Sequence, residues 1–477
     1  MAGILSLRHN KVVVTVVGAG FAGVEAAWAL AERGVPVRLV EMRPAQTTPA
    51  HVTGHFAELV CSNSLKSLLP TSPAGQLKAE MAALGSVVLT VAAEHRVPGG
   101  EALCVDRDAF GDAITHRLRS HPLIEVLEQE FGPDDIARAL NQPNGIVILA
   151  TGPLTTGPIS EWLARVTGRT HLYFYDAVSP TIDAASLDRS IIFAESRYGK
   201  GEGDDYLNCP FERDSYDAFV AALVSAERVP IRAFEAGGRR DDTGEVLEEM
   251  FLEKIKYFAG CTPIEAIAEK GPRSLAFGNF KPVGLTDPRT GRRPWAALQL
   301  RPENKQKTLY SLVACQNRLR FGEQKRVFRM VPGLEKAEFV RYGVIHRNTY
   351  LEAPKVLTPQ LELQEIPGLF VAGQLTGVEG YVESAAMGIF VGLAVFALLH
   401  DAELPAPPRE TAYGSLLSHL QDTTPREFAP MNINWGLFPE PEAVPTGAKT
   451  DRGERKEAKI SGAQAGLAHW RAGITFL

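Results

Sequence analysis

The sequence predicts an α/β fold, a Rossmann-like dinucleotide-binding domain interrupted by an inserted α+β domain. Three observations predict it. A β-branched run from Lys11 to Val17 ends in Gly18-Ala19-Gly20-Phe21-Ala22-Gly23, and helix formers follow from Val24 to Arg33. Two later apolar runs, Gly145 to Gly152 and Gly368 to Gly373, each end in a small-residue turn. Between these runs, Ser190 to Lys307 is rich in Gly, Pro and charge, which suits an insertion.

Each element of the opening unit has a mechanical reason. Gly34 stands where a helix would end, and Pro36 to Val40 forms a second strand running into Glu41, 23 residues after Gly18. Gly18 permits a tight turn, Gly20 lets the backbone approach a pyrophosphate, and Gly23 lets the helix pack close to the strand. With Ala19, Phe21 and Ala22 these residues form a cofactor-binding turn at a helix N-terminus, which attracts phosphate. Glu41 is then placed to hold a ribose diol, and a side chain at Gly20 would collide with the pyrophosphate. FAD and NAD put the same pyrophosphate on the same helix, so this unit alone leaves the choice open.

Composition narrows the classes. With 45% hydrophobic and 22% charged residues, 43 glycines and 32 prolines, the 477-residue chain is globular rather than disordered, collagenous or coiled-coil. Fifty basic and 56 acidic residues leave a formal charge of −6, so any nucleic-acid partner must use a local basic patch. The longest apolar run, Ile389 to Leu399, falls short of the roughly 20 residues that cross a bilayer, so a buried helix and no membrane contact are expected. The N-terminus lacks the small-residue cleavage site of a signal peptide, which predicts a cytoplasmic protein.

The five cysteines are an odd number, widely spaced and without a CxxC pair, so free thiols are expected and no metal site is. Cys104 and Cys315 lie in strand-like apolar runs and read as core. Cys61, before Ser62-Asn63-Ser64, and Cys261, between Gly260 and Thr262-Pro263, stand in turn contexts suited to reactive thiols. From Arg318 to Arg347 eight basic residues face three acidic ones. Arg318, Arg320, Lys325, Arg326 and Arg329 are its candidate RNA-binding residues, and Phe321, Phe328, Phe339, Tyr342 and Tyr350 are interleaved as stacking candidates. His51 and His346 are candidate proton carriers. The basic stretch from Lys449 to Lys459 alternates with acids and reads as an ion-paired helix.

The strand ending in Ala150-Thr151-Gly152, and the GLFVAG strand leading through Gly373 and Gln374 into a small-residue helix, resemble the FAD-contacting segments of two-dinucleotide-fold flavoproteins. Many of those carry Asp where Gln374 stands. Further segments sharpen the likeness: Cys61 to Ser67 (CSNSLKS), Gly260 to Glu265 (GCTPIE), Lys281 to Leu285, Gly322 to Arg329, Gly377 to Ser384 (GVEGYVES) and Asn432 to Gly436 (NINWG). Together they closely resemble the bacterial folate- and FAD-dependent tRNA (uracil-5-)-methyltransferases, from about Val14 to Phe438.

That resemblance implies delivery of the one-carbon unit of methylenetetrahydrofolate to C5 of a T-loop uridine in tRNA. It implies FAD as resident cofactor, NADPH or NADH as external reductant, and no obligatory protein partner. It also implies two functional cysteines. Cys261 matches the nucleophile that adds to C6 of uracil, and Cys61 the helper near the flavin and C5; Cys209 is the rival nucleophile. Tyr381 and Glu383, after the late strand, would face the flavin ring. Three alternatives stand beside this reading: a longer wobble-uridine-modifying FAD/folate flavoprotein, an NAD(P)H-linked flavin oxidoreductase without RNA, and a non-catalytic folate or flavin binder. The expected layout is an FAD-binding domain over 11–183 and 308–402, an insertion over 184–307, and a linker and tail over 403–477.

Overall fold

The computed structural model describes residues 13–48, 50–168, 172–201, 203–229, 262–424, 428–441 and 452–474. Its first sheet has five parallel strands in the order Leu369–Val371, Ile146–Leu149, Val14–Val17, Val37–Glu41, Ile124–Glu128. The central strands are buried at every position, Thr15 being their one polar residue, because helices cover both faces. Strand order reverses between Val14–Val17 and Ile146–Leu149, and a crevice opens at the carboxyl ends of strands at such a reversal.

The first helix, Phe21–Ala31, packs on the long helix Tyr381–Leu399 with backbones in contact. A Cβ at Gly388 would stand 2.2 Å from the Ala22 carbonyl oxygen, and one at Gly392 3.1 Å from that of Ala26. At Gly388 only glycine permits that approach, and at Gly392 any side chain would be tight. The late helix begins eight residues before the apolar run marked it, so its 19 residues do suffice in length and apolarity to cross a membrane. Shortness therefore does not exclude a span. What accounts for the apolar faces is burial: Val382 to Ala397 lie inside the protein.

Two buried carboxylates hold further helix starts, Glu25 from the first helix and Glu80 from the helix Pro73–Ala83. Glu25 accepts from Val87 N and Val88 N at the start of helix Val87–Glu94, and Glu80 from Ala412 N and Tyr413 N at the start of Ala412–Asp422. Burial pushes their carboxyls up to about 7 and about 8 respectively. The segment after 403 is thus no tail. Tyr413, Leu416 and Leu420 join the first core, and Trp470 of the helix Arg452–Gly473 donates to the Pro405 carbonyl at 2.7 Å. Lys459 there pairs with Glu440 at 2.9 Å, an acid outside the helix rather than one of its own alternating charges.

A second core lies under an antiparallel six-stranded sheet, in the order Phe193–Ala194, Leu207–Phe211, Ala296–Pro302, Leu309–Leu312, Thr181–Asp183, Phe339–Arg341. This corrects the expected insertion bounds of 184–307. Thr181–Asp183 sits between Leu309–Leu312 and Phe339–Arg341, so the sheet runs past both limits. The connection between domains is the antiparallel pair Leu172–Ala177 and Ile345–Tyr350. Long-range pairing of this kind leaves no compositional mark at the boundary.

Candidate active site

The turn after the first strand lines a pocket at the strand reversal, together with Val17, Glu41, Ala150 to Gly152, Gly373, Gln374 and Tyr381. Its glycines do different things. Gly18 has φ +101°, and a Cβ there would stand 2.5 Å from the Ala150 carbonyl oxygen; at Gly23 the Cβ would lie 1.7 Å from that of Gly18. Gly373 has φ +76° and would meet Ala22 Cβ at 2.7 Å. These three hold strand, helix and late strand together. Gly20 differs, since a Cβ there meets nothing within 4 Å and only the pocket would be filled. The helix start at Gly20 has no side-chain cap and no acid in its first turn, so its amides and positive dipole end remain available to an anion. The residues present fit a dinucleotide pyrophosphate such as that of FAD, with Phe21 and Ala22 on the lining and Ala19 buried behind it. Gly152, at φ +69° with open space beside it, completes the wall.

Glu41 reaches the strand tip as expected, but its carboxylate is already engaged. Oε1 accepts from Arg43 N at 3.1 Å and Nε at 2.8 Å; Oε2 accepts from Ala19 N at 2.8 Å and Arg43 Nη2 at 3.1 Å. Burial pushes this carboxyl up, yet the Arg43 guanidinium and the Ala19 amide outweigh it and hold it below its usual range. A ribose hydroxyl must therefore compete with Arg43, which is 2% exposed and also donates to Glu58 at 3.1 Å. Arg43 carries no motif of its own, and its only signal in the chain is its position two residues after the acid. His51 lines the same pocket and bonds Thr48 Oγ1 at 2.6 Å. Burial, reinforced by Arg43, pushes its imidazole down to about 4, so it is neutral at pH 7 and unsuited to carry protons there. Gln374 spends its amide on Glu379.

Cys61 stands half-buried on a loop beside Val60, which lines the pocket. Its Sγ lies 2.9 Å from Tyr381 Oη, and its backbone N–H donates to the same oxygen at 2.8 Å. Tyr381 stacks on Phe21, with ring centroids 4.7 Å apart and planes 25° from parallel. Burial, with Cys61 alongside, pushes the phenol well above its usual range and keeps it protonated. Its O–H is therefore free to donate to sulfur, a bond that favours the thiolate.

Three arginines hold this loop. Arg107 donates to the Leu59 carbonyl and pairs with Glu303 at 2.7 Å; Arg341 donates to the Val60 carbonyl at 3.1 Å; Arg301 donates to Ser62 Oγ at 2.8 Å. Asn63 donates to the Pro302 carbonyl at 2.9 Å. Arg301, Glu303 and Arg341 belong to the inserted domain, and none was singled out in this role from sequence. Lys66 pairs with buried Glu383 at 2.6 Å, and Glu383 accepts from Ile433 N at 3.0 Å. The CSNSLKS, GVEGYVES and NINWG segments, far apart in the chain, thus meet at one place. Glu383 is a fastener here and lies off the pocket wall.

Other candidates are not brought together. Cys209 is 0% exposed in Leu207–Phe211, and burial pushes its thiol far up, which removes it as rival nucleophile. Cys104 and Cys315 are buried core. Cys261, Arg347's side chain and that of His346 lie outside the described residues. In the basic segment Arg318 is buried, with its backbone N on Glu265 at 2.9 Å, and Arg329 donates to the Ala337 carbonyl at 2.9 Å. Both face the protein rather than a phosphate. Arg326 is exposed but pairs with Glu323 at 2.6 Å, Arg320 pairs with Glu227 at 3.3 Å, and Lys325 is exposed. Phe328 and Tyr350 are buried and cannot stack a ligand base.

Known proteins match this chain over most of its length. Residues 13–403 match the family model described as Glucose inhibited division protein A. The chain is 50% identical over 457 residues to methylenetetrahydrofolate--tRNA-(uracil-5-)-methyltransferase TrmFO of Desulforudis audaxviator, covering 96% of this chain and 98% of that protein. To the protein of the same name from Enterococcus faecalis it is 48% identical, covering 93% and 95%. Among solved structures, Aquifex aeolicus GidA superposes with a TM-score of 0.65 at 15% identity, over 97% of this chain and 74% of that one, which supports the fold. With such identity sustained over nearly its whole length, the chain belongs to the methylenetetrahydrofolate--tRNA-(uracil-5-)-methyltransferase TrmFO family, inside the wider Glucose inhibited division protein A family.

Proposed function

We propose that this chain methylates C5 of a T-loop uridine in tRNA, with methylenetetrahydrofolate as one-carbon donor. The observation that carries the reading is the Cys61 thiol, 2.9 Å from a protonated Tyr381 hydroxyl at the rim of the dinucleotide pocket. C5 of uracil becomes nucleophilic only after a thiolate adds to C6, and the family resemblance gives that role to Cys261. Cys61 is left to accept the C5 proton, with the Tyr381 O–H stabilising its thiolate. FAD, held by the Gly18 to Gly23 turn, Gly152 and Gly373, supplies reducing equivalents when bound. NADPH or NADH would restore those equivalents from outside, and the reaction places the protein in the cytoplasm with its tRNA.

The test is incubation of purified protein with unmodified tRNA, NADPH and methylenetetrahydrofolate labelled in the one-carbon unit, followed by digestion to nucleosides. Label is expected in T-loop 5-methyluridine. Label at the wobble position, or NADPH oxidation with no label in RNA, would overturn the reading in favour of a wobble-uridine enzyme or a flavin oxidoreductase.

A further inference from the structure

The inserted domain carries a column of aromatic rings that runs from its core into solvent. Phe339 tilts on buried Phe328 at 6.5 Å, Tyr342 stacks on Phe339 at 5.3 Å with planes 8° from parallel, and Phe321 stacks on Tyr342 at 4.9 Å and 19°. Phe321 closes the column and is 55% exposed, so one ring face is covered by Tyr342 while the other remains open. A lone exposed phenylalanine needs no explanation. Three near-parallel rings ending in an open face form a surface on which a planar group stacks.

Two cations flank the ring, one of them pairing with an exposed acid: Arg320 lies 3.3 Å from Glu227. Arg320 precedes Phe321 with its side chain 60% exposed. Lys325 lies one turn further along the helix Phe321–Phe328, on the same face as Phe321, and is exposed. A nucleotide within a strand has a phosphate on each side of its base, which matches a ring flanked by two cations.

The column also reaches the loop that carries Cys61. Arg341, next to Tyr342, donates to the carbonyl of Val60, next to Cys61. On the other side, Val229 N donates to the Arg318 carbonyl at 2.8 Å and Ile264 N to that of Gln316 at 2.7 Å. The described residues flanking positions 230–261 are therefore bonded to the irregular segment that leads into Phe321.

We propose that the open face of Phe321, backed by Tyr342 and Phe339, is the stacking platform for an unpaired nucleobase of the RNA substrate, with Arg320 and Lys325 on its flanking phosphates. This rests on the methyltransferase reading and adds to it where the RNA is held.

The experiment measures binding of an unmodified tRNA transcript to the FAD-loaded protein, without folate or NADPH, across a salt series. Phe321→Leu keeps an apolar side chain at a half-exposed position but removes the ring; it is expected to weaken binding roughly ten- to a hundred-fold. Phe321→Trp should restore the affinity. In Phe321→Leu the slope of affinity against salt stays that of the wild type, whereas Lys325→Gln lowers it by about one phosphate's worth. Folate affinity is unchanged in all variants. Unaltered tRNA binding in Phe321→Leu, equal loss in Phe321→Leu and Phe321→Trp, or loss of folate rather than tRNA binding would each overturn the platform. The wild-type labelling assay runs alongside. Labelled 5-methyluridine with unaltered Phe321→Leu binding rejects the platform alone, and no label rejects the methyltransferase reading itself.

Discussion

Cys61 and Cys209 are the same residue in opposite settings. Cys61 sits on an irregular loop, half-buried, with a phenol on its sulfur and arginine side chains on the carbonyls of the two residues before it. Cys209 occupies a central strand of the inserted sheet with 0% exposure, in a core of Phe211, Tyr216, Phe219 and Leu298. In the first setting a hydroxyl stands within hydrogen-bond reach of the sulfur, and in the second burial favours the neutral thiol. A cysteine's chemistry is decided by what approaches its sulfur.

The sharpest way to break this contrast is to exchange each thiol for a methyl group. Cys61→Ala should lower 5-methyluridine formation by roughly a thousand-fold or more while FAD stays bound. Cys209→Ala should leave turnover intact; equal losses in both would show that the strand thiol is chemical after all. The next effect concerns the phenol. Tyr381→Phe keeps the ring stacked on Phe21 but removes the donor to Sγ, and a fall in kcat of about a hundred-fold is expected. A change in tRNA KM alone would instead mean that Tyr381 serves only the fold.

Smaller effects sharpen the comparison. Arg341→Lys keeps the charge but loses the fixed guanidinium on the Val60 carbonyl, so the loop loosens and single-turnover methylation should slow about ten-fold. Wild-type rates would mean that Arg107 and Arg301 suffice. Last comes the stability of the strand site. Removing the buried sulfur with Cys209→Ala should cost about 1 kcal/mol in urea unfolding, since one heavy atom leaves a packed core. No loss would contradict the tight packing seen around it.

Parts of this were legible along the chain. The Gly18 to Gly23 turn, Glu41 at its strand tip and Gly373 after the late strand are local devices, and the structure puts all of them at one pocket. The contrast between Cys61 in polar company and Cys104 or Cys315 in apolar runs was also readable. The basic segment misled, because its charge count does not distinguish Arg329, bonded to the Ala337 carbonyl, from Lys325 in solvent. The insertion bounds were misplaced because Thr181–Asp183 acquires its sheet partners from more than a hundred residues away.

The sequence by itself determined the dinucleotide turn and the turn setting of Cys61, because steric demands on glycine and the apolar period of strands act between near neighbours; the family was legible separately, from the likeness of the CSNSLKS and NINWG segments. Only the tertiary structure decided that Arg43 occupies Glu41, that Tyr381 meets Cys61 across 320 residues, and that arginines of the inserted domain clamp the loop between them. Those are hydrogen bonds between groups remote in the chain, and their donors become partners only once two cores have packed side by side.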